Sequence, residues 1–370
     1  MYIKVSFESD FNKLMMDLWS IYGKELFNLD GIGDQLDRNK FASDFFNSDD
    51  NTANKSVDAN SNVSEKNVIV FNREVNKPMS RYNSYFLLWK ELKKIYGLEI
   101  ANRLIENQLT GVYYINDFTS VEMPYCWNYS CYDIALMGLP MVDKIKSDPP
   151  KYFLSYLSQV EQFIVIAGNS TLGASGVADF LIVASYYVKK ILDTGKDGKF
   201  VLGSKENIYN YIEELLTKFI YTINQPNRGE QSCFSNLSLF DDPFLDKLCP
   251  DYKFIDGSVD KEIIKELQAL IINIMNKELK RTPVTFPVFS ACFSVDENNK
   301  IQDEAFLDFI SEKDTEFGFI NIYMGDTGTL SSCCRLRSDM TKLNFNTIGG
   351  SSSKIGSIGV VTLNLPRLAY

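Results

Sequence analysis

The apolar pattern of this chain switches again and again between a helical period and short strand-like runs. That alternation restricts the fold more than any other feature. Residues 150–167, 176–192, 206–223 and 261–280 each repeat apolar positions at three and four, the spacing of a core-facing helix. In the last of these, Ile263, Ile264, Leu267, Leu270, Ile271 and Ile274 fall on one face, and Ser258 is placed to cap its start. Residues 284–293, 317–323 and 357–365 are continuous apolar runs of strand length. Long helices alternating with such runs predict an α/β body with a largely parallel sheet.

The flanks extend this reading. Residues 82–108 carry an apolar stripe broken at Gly97, which predicts two consecutive helices. Residues 68–71 and 112–115 read as short strands. Residues 1–46 show helical spacing around Phe11 and Trp19 and form a helical N-terminal extension. Residues 47–66 are polar and poor in aromatics, so burial cannot offset the entropy of ordering them, and a flexible linker is expected. The compact body is expected over residues 67–370.

Composition narrows the function. The net charge of −10 lacks the basic balance that a general nucleic-acid binder needs to displace counterions. No apolar run reaches the roughly 18 residues of a membrane span. The start, Met-Tyr-Ile-Lys-Val, lacks the features of a signal peptide. Seven cysteines without a C-x-x-C pair fit free thiols in a reducing cytoplasm. The chain has no histidine, which excludes Ser-His and Cys-His catalysis and histidine-based metal sites. No phosphate-loop or dinucleotide fingerprint is present, and cysteine is left as the most versatile reactive side chain.

Five segments concentrate chemistry. Cys333 and Cys334 follow the turn Gly325-Asp-Thr-Gly328, and Arg335 puts a fixed cation beside them. In extended chain only one of the two thiols would face a given cavity. On the residues alone, two buried cysteines packing as small hydrophobes is the commoner outcome. Ile348-Gly-Gly-Ser-Ser-Ser-Lys-Ile-Gly-Ser357 has the free backbone donors of an anion cradle, or is an ordinary flexible loop. The amides between Asn224 and Asn236 suit nucleotide edges, and equally a hydrogen-bonded loop. Cys126 and Cys131 sit among aromatics, where buried packing is the default. The small residues from Gly168 to Asp179 point to close helix packing.

Taken in order, five collinear motifs resemble the anaerobic (class III) ribonucleotide reductase large subunit, a glycyl-radical enzyme. They are Met123-Pro-Tyr-Cys126-Trp, Tyr221-Thr-Ile-Asn-Gln-Pro-Asn-Arg-Gly-Glu-Gln-Ser, Arg281-Thr-Pro-Val-Thr-Phe-Pro287, Ser331-Ser-Cys-Cys-Arg-Leu-Arg-Ser-Asp339 and Lys354-Ile-Gly-Ser-Ile-Gly-Val-Val-Thr-Leu-Asn-Leu-Pro-Arg367. The resemblance implies the first half of a ten-stranded α/β barrel, with a finger loop inside it. It implies Cys334 as the thiyl residue and Cys126 as the second catalytic thiol, across the sugar. Ser357 falls where some members place a substrate-contacting asparagine. Asn224, Gln231, Ser332, Cys333, Arg335 and Asn364 are carried over as substrate-binding, and no metal ligand is expected on this chain.

Two departures stand out. The family often has a His-x-His-Asp run where this chain reads Tyr114-Ile-Asn116-Asp117, and its N-terminal ATP-cone is not recognisable here. The second barrel half, the four-cysteine zinc site and the glycyl-radical loop are expected beyond the matched part, on a C-terminal reductase fragment of a split enzyme. The implied partners are a ribonucleoside triphosphate substrate, dNTP or ATP effectors, that fragment, an activase using S-adenosylmethionine and an iron–sulfur cluster, and a second copy in a homodimer. The competing reading is an inactive truncated fragment that binds effectors or dimerises. A glycyl-radical lyase is a third.

Overall fold

The computed structural model describes residues 7–23, 27, 37–47, 68–120, 123–139, 147–228, 231–327, 329–332, 336–339 and 356–369. Apart from Asn47, the expected linker lies outside the described residues. Contacts divide the chain into two units, one of Met1–Asn51, Ser64–Met123 and Ile358–Tyr370, the other of Thr52–Val63 and Pro124–Ser357. Among the described residues, no helix is long and apolar enough to cross a membrane.

The first unit is mainly helical: α1 (Ser9–Tyr22), α2 (Arg38–Asn47), α3 (Val68–Tyr96) and α4 (Leu98–Leu109). Helix α1 buries Phe11, Leu14, Met15 and Leu18, a stripe at spacings of three and four, against Tyr85, Phe86 and Trp89 of α3. Trp89 is fully buried, and its indole N–H donates to Asn102 Oδ1 at 2.8 Å, so the ring is buried without stranding a donor. The predicted break at Gly97 is present, with φ at +84°, a conformation that costs glycine nothing. Strand β1 (Tyr113–Ile115) pairs antiparallel with Val361–Leu363, Tyr113 opposite Leu363.

Two expectations fail here. Residues 68–71 are the first turn of α3, not a strand. Four residues carry little strand signal, whereas Val68, Phe71, Val75 and Tyr82 continue a helical stripe. The run 357–365 is not one strand either. It divides into Gly356–Ser357, Val361–Leu363 and a short helix, Leu365–Ala369. Gly359 interrupts it, and Asn364 Oδ1 accepts from Arg367 N at 3.1 Å to start the helix.

The second unit is an α/β layer structure. Its parallel strands are β2 (Cys126–Asn128), β3 (Ser175–Gly176), β6 (Ser235–Phe240), β9 (Val288–Ser294) and β10 (Ile320–Gly325). They lie in the order β10-β9-β6-β3-β2, and β13 (Gly356–Ser357) adds to β2 antiparallel. Crossovers contain α5 (Cys131–Met137) and α6 (Phe153–Gly168), then α7 (Phe180–Thr194) and α8 (Lys205–Ile223), then α9 (Asp242–Leu248) and α10 (Lys261–Leu279), and finally α11 (Glu304–Asp314). Two small hairpins, β4–β5 (Lys196–Asp197, Phe200–Val201) and β7–β8 (Lys253–Phe254, Gly257–Ser258), interrupt the connections. The expected parallel sheet is therefore present. Its five parallel strands form a curled half-barrel sheet.

Buried carboxylates from elsewhere in the unit fasten several helix starts. Asp179, almost fully buried, accepts from Ser130 Oγ at 2.5 Å, Cys131 N at 2.8 Å and Tyr252 Oη at 3.3 Å. Burial pushes its carboxyl above the usual range, while the Ser130 hydroxyl and the backbone N–H groups hold it down. Asp197 receives Phe153 N at 2.9 Å and Leu154 N at 3.1 Å at the start of α6. Helix α10 is capped by Asp260, which accepts from Glu262 N and Ile263 N, and not by Ser258, which is spent in the β7–β8 hairpin.

Candidate active site

Side chains alternate along a strand, so Cys126 and Asn128 of β2 share a face of the sheet. The register places Asn128, Gly176, Asn236 and Val288 in one row across four strands, and Ser238, Ser290 and Asn321 in a second. Asn236 Nδ2 donates to Ser290 Oγ at 3.1 Å, so the two rows lie on one face. The opposite face carries Leu237, Leu239, Phe289, Ala291 and Phe293, all fully buried in the core. A polar stripe of buried Asn128, Asn236, Ser238 and Ser290 thus shares its side with Cys126. Asn236 and Ser238 are almost completely buried, and among the described residues Asn236 Oδ1 and Ser238 Oγ have no hydrogen-bond partner. Burying unsatisfied oxygens is costly, so such a stripe is a place where a polar ligand or loop is stabilised.

A hairpin lies close to two of these strands. Strand β11 (Thr329–Ser332) pairs antiparallel with β12 (Leu336–Asp339), Ser332 opposite Leu336, and β11 comes within 8 Å of both β6 and β9. Ser332 is thus the last described residue before the pair of thiols. Cys333, Cys334 and Arg335 lie outside the described residues, as does the side chain of Ser332.

Cys126 has no solvent exposure, and its Sγ accepts the Ala174 N–H at 3.3 Å. Its direct partner across the antiparallel β2–β13 pair is Ser357. Two candidate site residues more than 200 positions apart in sequence are therefore neighbours. The approach requires glycine at 356, where a Cβ would sit 2.8 Å from Cys126 O. The small-residue segment beside it packs closely, but against strand β2 and the loop before β6 rather than between helices. A Cβ at Gly173 would lie 2.6 Å from Cys126 Sγ, and one at Gly168 would lie 2.7 Å from Cys233 Sγ.

Asn224 and Gln231 bracket the loop that leads into β6. The Asn224 amide is fully used by the protein. Its Nδ2 donates to Ile220 O at 2.7 Å and Phe286 O at 2.5 Å, and its Oδ1 accepts from Thr285 N at 3.1 Å and Phe286 N at 3.0 Å. It braces the 285–286 segment. Gln231 is half-buried and exchanges two backbone hydrogen bonds with Arg228, at 2.9 and 3.2 Å. Asn364 belongs to the first unit, where its Nδ2 donates to Gly111 O at 2.9 Å and its Oδ1 starts the last helix.

The remaining described thiols are packing groups. Burial raises Cys131 well above the ordinary thiol range and pushes Cys233 and Cys249 up to about 11, so all three stay protonated at neutral pH. Among the described residues, no group of three or more Cys, Asp or Glu is placed to hold a metal ion. Reading the residues in order missed the polar stripe. Its one sequence signal was the alternation Ser235-Asn-Leu-Ser-Leu-Phe240.

A sheet of five parallel strands with a thiol on its first strand and a hairpin beside its middle strands is the architecture of a ribonucleotide reductase half-barrel. The family description "Anaerobic ribonucleoside-triphosphate reductase" matches residues 75–370, and the chain belongs to that family. It is similar to the anaerobic ribonucleotide reductase of Thermotoga maritima solved in complex with dATP and CTP, at 32% identity and a TM-score of 0.77, covering 100% of this chain and 58% of that one. The same reductase with citrate in the active site matches at 32% identity and a TM-score of 0.77, covering 100% and 63%. With dATP in the specificity site it matches at 31% and 0.75, covering 100% and 58%. The chain thus spans less than two thirds of the length of these solved relatives. No curated protein matches the chain.

Proposed function

We propose that the chain forms half of the reaction chamber of a ribonucleoside-triphosphate reductase, in which a sulfur radical on Cys334 acts on a ribose held opposite Cys126. The observation that carries this reading is the β11–β12 hairpin beside β6 and β9, with Cys126 and Ser357 opposed on β2 and β13 of the same sheet, beyond β3. The sulfur radical takes the 3′ hydrogen atom, becoming a thiol and leaving a carbon radical. The 2′ hydroxyl then departs as water, gaining a proton as the 3′ hydroxyl gives one up, which leaves a carbonyl at C3′ and the radical at C2′. Cys126 assists the reduction from the other side, and the 3′ hydrogen returns from Cys334. The two electrons come from outside the chain, as formate or a small thiol protein. No step needs an acid–base histidine, which agrees with a chain that has none.

The Thermotoga maritima relative was solved with CTP and dATP, which supports a ribonucleoside triphosphate as substrate and a deoxynucleotide as effector here. We assign the glycyl radical, its activase and the four-cysteine zinc site to partners or segments that complete the barrel. We also assign Ser332, Cys333 and Arg335, and Ser357 of β13, to substrate binding. The test is anaerobic turnover of CTP by the assembled, activated protein. dCTP is the expected product. Failure to form a deoxyribonucleotide from any of the four ribonucleoside triphosphates contradicts the reading and favours an effector-binding module.

A further inference from the structure

Residues 171–174 form three successive peptide units between Arg228 on one side and the segment 124–126 on the other. Thr171 O accepts from Arg228 Nη2 at 2.6 Å, and the N–H of the same peptide, on Leu172, donates to Pro124 O at 3.0 Å. Leu172 O also accepts from Arg228 Nη2, and the Gly173 N–H donates to Tyr125 O at 2.6 Å. Gly173 O accepts from Arg228 Nη1 at 3.2 Å, and the Ala174 N–H donates to Cys126 Sγ at 3.3 Å. In a trans peptide the C=O and N–H point in opposite directions. Each unit therefore has a cation at its oxygen and an acceptor at its nitrogen.

The guanidinium is always charged, and its planar fork can hold several carbonyls at once. Pulling electron density toward the oxygens makes each N–H a stronger donor, because linked hydrogen bonds polarise one another. The guanidinium also lies 5.1 Å from the Phe234 ring centroid, and Phe234 packs against Cys126 and Ala174. Among the described residues, the titratable groups on the segments around Cys126 are Tyr125, Arg228 and Cys233.

We propose that Arg228 is a positioning residue for the Cys126 thiol, fixing and polarising through three peptide units the N–H that the sulfur accepts. The proposal rests on Cys126 being a working thiol, but its test needs neither nucleotide nor radical, so its failure is distinguishable from failure of the reductase reading.

The test follows iodoacetamide alkylation of Cys126 against pH, resolved by peptide mass spectrometry, in the wild-type chain and in Arg228→Gln. Losing the polarised donor weakens support for the thiolate, so the midpoint of the profile is expected to rise by about one pH unit. Simple loosening does the opposite, because water around a buried thiol lowers its midpoint and raises the rate at every pH. A folded Gln chain with an unmoved or lowered midpoint overturns the proposal. Should that chain not fold, Arg228→Lys decides. One ammonium satisfies fewer of the three carbonyls, so the midpoint rises by less, and a folded Lys chain with the wild-type profile overturns it.

Discussion

Replacing Cys334 with alanine is expected to reduce deoxyribonucleotide formation to background in the assembled, activated reductase, while CTP binding and the unfolding midpoint stay near wild type. The change deletes one sulfur on the segment between Ser332 and Leu336, whose flanking strands are paired over four residue pairs independently of it. Core packing in the second unit comes from the helices and the opposite sheet face. On the proposed mechanism the chemistry rests on this sulfur. A sulfur–hydrogen bond and a ribose carbon–hydrogen bond are matched closely enough for hydrogen to pass both ways, and a methyl group offers no such exchange. The loss is therefore absolute, unlike the graded loss from removing one binding contact. Turnover that survives in Cys334→Ala would end the assignment.

The second large effect is expected from Gly173→Ala. The added Cβ would meet Cys126 Sγ at 2.6 Å and Tyr125 O at 2.8 Å, and neither can retreat freely. Tyr125 O accepts the Gly173 N–H at 2.6 Å, and Cys126 Sγ accepts the Ala174 N–H at 3.3 Å. The strand must yield. Overpacking of this kind costs about 1–3 kcal/mol of stability, read as a lowered urea midpoint. The effect on turnover is larger. Moving a reacting group by about 1 Å costs on the order of a hundredfold in rate. A Gly173→Ala chain with unchanged stability and turnover within a factor of two would show that Cys126 has no exacting position to lose.

Long elements were legible in the sequence because periodicity accumulates over many residues. Helices α6, α7, α8 and α10 and the break at Gly97 follow their apolar stripes to within a few positions. Strands β2 and β3 were not legible. At three and two residues they hold less than one cycle of any pattern, and they exist because the register with β6 and β13 pairs them. Strand β6 carried a signal, but the amides preceding it suggested a loop. The run 68–71 erred the other way, since its β-branched residues suggested a strand where the longer stripe of α3 prevailed.

The site divides similarly. Motif order singled out Cys126 and Ser357 without a hint that they are cross-strand partners, because contact between distant segments is set by sheet register. Asn224 is a polar side chain in a matching motif. Its amide joins α8 to the 285–286 segment, a role that composition cannot separate from ligand binding. Arg228 lay in the same motif, and its grip on three carbonyls becomes visible only when residues 171–173 are folded against it.

Turnover of CTP carrying deuterium at the 3′ carbon tests the central claim most directly. If Cys334 sulfur removes that hydrogen, the assembled enzyme should process the labelled nucleotide more slowly than unlabelled CTP, and the label should reappear at the 3′ position of dCTP. Equal rates together with a 3′ carbon–deuterium bond that never breaks would contradict the account.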